Sequence, residues 1–182
     1  MKRILPFLLM PTAAFAHPGH HGHGNPFAEG WMHPLGGADH VLAMVAVGLW
    51  AATAADKRGL WALPLAFVAA MVAGGAMGAA GLHLPGVEPV ILASGIVLGL
   101  AVALALRPSL GFALPVVAMF GLMHGHAHGV EGPAHGLVAY AAGFVLATGA
   151  LHLAGIGLGR MGMARVLGGM TAAAGIALAV MP

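Results

Sequence analysis

Residues 33–55 read HPLGGADHVLAMVAVGLWAATAA, with two histidines and an aspartate at the mouth of an apolar run. A carboxylate costs up to about 3 kcal/mol at the centre of a helix in lipid and less towards its ends. Asp39 must therefore face water, meet a partner or bind something. Runs of the same kind recur along the chain. Of its 182 residues, 60% are hydrophobic and 7% charged, where a soluble domain would carry about 25% charged residues. Apolar blocks of this length predict an all-α fold, a polytopic bundle of membrane helices.

Six such segments are expected, at about 36–56, 60–82, 88–106, 109–126, 134–159 and 162–181, each near the ~20 residues that cross a bilayer core. Ahead of them stands MKRILPFLLMPTAAFA, with Lys2 and Arg3, a short apolar stretch and a small-x-small end at Ala14-Phe15-Ala16. That pattern predicts a signal peptide over 1–16. A His-rich periplasmic leader over 17–32 and a six-helix domain over 33–182 complete the expected organisation. With an exported mature terminus, the loops after spans one, three and five are cytoplasmic. They carry Lys57, Arg58, Arg107, Arg160 and Arg165, as the positive-inside rule requires. The expected location is the bacterial inner membrane, with both mature termini periplasmic.

The pI near 9.7 rests on seven basic residues, and their placement serves orientation, so the lipid bilayer rather than nucleic acid is the implied partner. Cysteine is absent, which excludes disulfides, thiolate metal sites and a cysteine nucleophile. The thirty glycines suit helices that pack closely in a membrane.

Histidine numbers twelve against five acidic residues, and on this topology it crowds one face. HPGHHGHG at 17–24 brings His17, His20, His21 and His23 together on a flexible tract able to gather a divalent ion; a solvated leader without function is the plain alternative. At the opening stretch, Gly36 and Gly37 let His33 fold back over Asp39 and His40. Those two side chains point about 100° apart on a helix, to bracket an ion or to let Asp39 hold an imidazole in one tautomer. A helix-capping Asp39 beside interfacial histidines is the blander reading. On a helical reading of MHGHAHGVEGPAH at 123–135, steps of four and three place His124, His128 and Glu131 on one face; its repeated glycine leaves open a looser, ion-enclosing turn, and a polar periplasmic loop is the plain alternative. His126 points elsewhere, and Pro133 is placed to begin the fifth span. His152 lies deep, about 25 Å past His135 at the helical rise. By itself it reads as an interhelical hydrogen-bonding residue, and below a histidine-rich mouth as a further metal station.

Imidazole and carboxylate without thiolate suit nickel, cobalt, zinc or copper(II), and composition does not choose among them. Only a neutral imidazole offers a lone pair to a metal, so binding through such ligands is expected to weaken as pH falls through about 6.5. Binding unchanged down to pH ~5 would count against histidine ligation.

HPLGGADHVLAMVAVGLWA strongly resembles the first-helix signature of the HupE/UreJ family of hydrogenase and urease accessory membrane proteins. FGLMHGHAHGVE and YAAGFVLATGALHLAGIGLG are similar to its later motifs. The resemblance implies a nickel or cobalt permease that supplies nickel-enzyme maturation proteins. It carries over His33, Asp39 and His40 as the first motif and His124, His128 and Glu131 as the second, and it leaves HPGHHGHG as an extra outside the shared core. No G-x-x-x-x-G-K-[ST] loop is present. The expectation is a secondary transporter, not an enzyme, without a prosthetic group, its Ni2+ or Co2+ being cargo. The rivals are a metal sensor or chaperone that binds without flux, and a membrane metalloenzyme or haem protein.

Overall fold

The structure is a computed structural model that describes residues 24–54 and 56–180. The expected signal peptide and the leader residues His17, His20, His21 and His23 lie outside the described residues. The fold is all-α, with no strand among the described residues. In order come α1 (Pro26–Gly36), α2 (Ala38–Thr53), α3 (Gly59–Ala79), α4 (Val87–Ala103), α5 (Leu110–Glu131), α6 (Leu137–Leu158), a wide π-type turn (Gly159–Met163) and α7 (Ala164–Val180). Each of the six apolar segments is helical.

Several boundaries differ from expectation. Residues 26–32 form most of α1 rather than a loose leader, because Asn25 caps the helix by accepting the Phe27 amide at 3.0 Å and Pro26 stands in its first turn. The entry to the first apolar run is thus a helix pair, bent by 84° between α1 and α2 at Gly37, whose backbone is extended. The fourth segment does not stop near 126; α5 runs 22 residues to Glu131. The next helix starts at Leu137 behind Gly136, whose φ is +74°, so Pro133 stands outside it. By length and composition, Gly59–Ala79, Leu110–Glu131 and Leu137–Val180 can each cross a membrane, and the bent pair Pro26–Thr53 makes a fourth candidate. The long stretch Leu137–Val180 is interrupted at Gly162, where φ is +82°, while Val87–Ala103 is apolar but only 17 residues long.

Glycine decides the packing. In α5, Gly121, Gly125 and Gly129 lie against the backbone of Phe67, Met71 and Gly75 in α3, and in return Gly74 and Gly78 of α3 receive the carbonyls of Leu122 and His126. The two helices run parallel, backbone on backbone. Helix α2 occupies the centre, touching α3, α4, α6 and α7, with Gly48 against the His152 carbonyl and Gly155 against that of Val45. Gly155 also lies against Gly48, and Gly159 one turn later against Ala52, a register that makes α2 and α6 parallel too. The Trp50 indole donates to the Leu106 carbonyl at 2.9 Å, which brings the ends of α2 and α4 together. The chain segments carrying Lys57, Arg58, Arg107 and Arg160 therefore gather at one end of the bundle.

At that end, α4 closes with the amides of Leu106 and Ala105 bonded to the carbonyls of Ala101 and Val102 at 2.8 and 3.0 Å. This is a Schellman turn. Its left-handed position holds Ala105, at φ +51°, where glycine is the usual residue because a Cβ crowds the carbonyl. Ala105→Gly is expected to stabilise the fold by about 0.5–1 kcal/mol. Thermal unfolding in detergent tests this, and a lowered midpoint would contradict it.

Candidate metal centre

Helices α1, α2 and α5 deliver six imidazole or carboxylate groups to the end of the bundle opposite the basic loops. His33 comes from the last turn of α1. The bend at Gly37 then turns the chain so that Asp39 and His40, in the first turn of α2, meet the last two turns of α5, which carry His124, His128 and Glu131.

His33 does not fold over Asp39 as the glycine pair suggested. Its Nε2 stands 3.7 Å from Glu131 Oε2, and its ring lies edge-on to His128 with centroids 4.7 Å apart. His128 in turn lies 4.5 Å from the His40 ring, and His40 lies 5.0 Å from His124. The rings form a continuous file from His33 inwards. Exposure follows it: the side chains of Glu131 and His33 are 58% and 36% exposed, while His128 and His124 are buried.

Two hydrogen bonds fix what this file can do. His40 Nδ1 lies 2.8 Å from Asp39 Oδ1, and His124 Nδ1 lies 2.9 Å from the Phe120 carbonyl. A carbonyl and an ionised carboxylate only accept, so both Nδ1 atoms carry the proton. In each neutral ring the lone pair then sits on Nε2. Both Nε2 atoms are buried without a partner, as are both nitrogens of His128. Metal-bound histidines commonly hold their second nitrogen in this way, against a carboxylate or a backbone carbonyl. Asp39 thus orients its neighbour and does not cap its helix, since α2 begins at Gly37 without a side-chain cap.

One donor atom each from His33, His128 and Glu131 lies within 4.8 Å of the others. Three donors sharing one ion with bonds of about 2.1 Å lie roughly 3–3.6 Å apart, so about 1–2 Å of closure brings these three into coordination range. His128 Nδ1 is 3.9 Å from Glu131 Oε2, as the three-residue step on α5 requires.

The other histidines separate. His126 faces away, its Nε2 donating to the Leu82 carbonyl at 2.6 Å, and with His83 it lines a different cavity of about 560 Å3. His135 is exposed. His152 lies further inside, 1% exposed, with neither ring nitrogen bonded; the interhelical hydrogen bond expected of it is absent. Thr148, one turn earlier, donates to Met71 Sδ at 3.7 Å.

The HupE / UreJ protein family model matches residues 5–181. The chain belongs to the HupE/UreJ family. A HupE/UreJ relative, Protein HupE of Rhizobium leguminosarum bv. viciae, is 45% identical over 181 residues, covering 95% of this chain and 93% of its own. No solved structure matches the chain. In this HupE/UreJ chain the site also has an aromatic frame. Phe144 lies 4.3 Å from the His128 ring and Tyr140 lies 5.6 Å from His33. The signal was there: Tyr140, Phe144, Thr148 and His152 follow one another by fours and form one buried face of α6. Phe67, lodged between His124 and His152, had no such signal, being an aromatic within an apolar run.

Proposed function

We propose that this chain is a six-span secondary permease of the inner membrane, carrying divalent nickel, with cobalt as the close analogue, from periplasm to cytoplasm for hydrogenase or urease maturation. The observation that carries this reading is the pair of tautomers at His40 and His124. Each leaves a buried, unpartnered Nε2 on a ring of the same file as His128. Imidazole nitrogens with carboxylate oxygens and no sulfur suit nickel or cobalt, and a family of hydrogenase and urease accessory proteins supports these two among the metals such donors accept.

The ion meets Glu131 and His33 first, where water is still available, and the two carboxylates of the site oppose its charge. Deeper, the ligands become His128, His40 and His124, which replace the remaining hydration one donor at a time. His152 is the inner station, before release at the end carrying Lys57, Arg58, Arg107 and Arg160. An inside-negative potential contributes about 2.3 kcal/mol per charge per 100 mV, so a dication gains roughly twice that on crossing. The potential alone can drive inward movement. The leader histidines His17, His20, His21 and His23 serve to concentrate the ion ahead of the site.

The test is nickel entry into proteoliposomes holding the purified chain, with an imposed inside-negative potential. Saturable uptake that scales with the potential supports the permease. Stoichiometric nickel binding without uptake would replace it with a binding protein that presents the metal to a partner.

A further inference from the structure

We infer that Phe67 is the barrier between two metal stations, and that an ion passes from His124 to His152 only when its ring turns aside. The inference rests on the transport reading and adds to it the element that controls passage.

Phe67 is fully buried in α3. On one side its ring centroid is 5.5 Å from that of His124, at 55°. On the other it is 5.2 Å from that of His152, at 88°. A single aromatic ring thus touches both the last imidazole of the outer file and the one beyond it, and among the described residues those two imidazoles make no ring contact with each other. Both flanking rings have unpartnered nitrogen, at His124 Nε2 and at both positions of His152. The ring itself offers no lone pair. An ion that has exchanged water for imidazole finds no ligand at Phe67, and in a buried, low-dielectric setting that gap is a steep barrier.

The surroundings restrict how the barrier opens. The Phe67 backbone is fixed against Gly121, and the next turn of α3 is fixed at Met71 against Gly125. The Met71 thioether is further held by Thr148 of α6. Backbone displacement is thus opposed at two successive turns, and rotation of the Phe67 side chain is the motion left free. Rotation of a buried ring is slow beside an exposed side chain's, so this step sets the maximal rate rather than the apparent affinity.

The experiment is nickel uptake by proteoliposomes containing the full chain, with Phe67→Leu and Phe67→Trp beside the unaltered protein, and with nickel binding measured calorimetrically on each. A smaller side chain is expected to raise Vmax severalfold and a larger one to lower it about tenfold or more. KM and the binding affinity of the mouth should stay within about twofold in both. A residue that only fills space would give losses for both variants, in step with lost stability. Vmax moving the same way in both, or in neither, overturns the inference. If Phe67→Trp fails to fold, Phe67→Leu decides by itself: a raised Vmax supports the barrier, and an unchanged or lowered one removes it. Absent uptake by the unaltered protein would instead remove the transport reading, and the barrier with it.

Discussion

His40→Ala is expected to reduce nickel uptake into proteoliposomes by about 100-fold or more, while Asp39→Asn reduces it by about 10- to 100-fold. The two effects differ because the residues act differently. His40 supplies the Nε2 lone pair; without it the file of rings is cut between His128 and His124, which lie 4.5 and 5.0 Å from it. Asp39 acts through His40. Its Oδ1 accepts the Nδ1 proton at 2.8 Å and so keeps the lone pair on the other nitrogen. An asparagine at that position retains an acceptor oxygen but loses the charge that makes imidazole a stronger donor. His135→Ala, at an exposed position outside the file, should leave uptake unchanged. The readout is initial rate against nickel concentration, together with binding by calorimetry. Normal transport by both His40→Ala and Asp39→Asn would remove the first motif from the site.

Gly125→Ala is expected to have the largest effect on the fold. A Cβ at Gly125 would overlap the carbonyl of Met71, and that neighbour is backbone, which cannot swing away as a side chain would. The penalty begins at the ~1–3 kcal/mol of an overpacked core and rises because the helix pair must separate along its length. Gly149→Ala and Gly157→Ala are the contrast, since no atom lies within 4 Å of a Cβ at either position. Both should purify as the unaltered protein does. Monodisperse elution and thermal midpoint in detergent read this directly, and a Gly125→Ala protein as stable as Gly149→Ala would refute the close approach of α3 and α5.

The helical class was legible because lipid-soluble chains announce themselves by their apolar blocks, and the α5 half of the site because period and chemistry coincide. His124, His128 and Glu131 share a face through helical arithmetic alone. The α1–α2 half was only partly legible. Gly36-Gly37 marked a turn, but its partner helix α1 hides in PFAEGWMHPLG, whose prolines and glycines look like a leader. Its direction depends on a cap at Asn25 and on Gly30 and Gly143 nesting α1 against α6. Hence His33 was placed near Asp39 when it stands against Glu131 and His128. The boundary near 126 failed for another reason: histidines lower hydropathy, and a window that measures hydropathy stops where the donors start. Phe67 could not be found at all, because its position between two imidazoles is set by how α3 meets α5 and α6, which no single segment records.

The glycine ladder of α5 has one more consequence. Its bare positions at 121, 125 and 129 mesh with the α3 backbone like the gaps of a rack with its pinion. A one-residue slip in either direction would drive Leu122, His126 and Val130, or Phe120, His124 and His128, into the places where those gaps now sit. The assembly therefore has one permitted setting along the axis, and the vertical spacing between the outer donors and the ring beneath them is locked by absent side chains rather than by any bond.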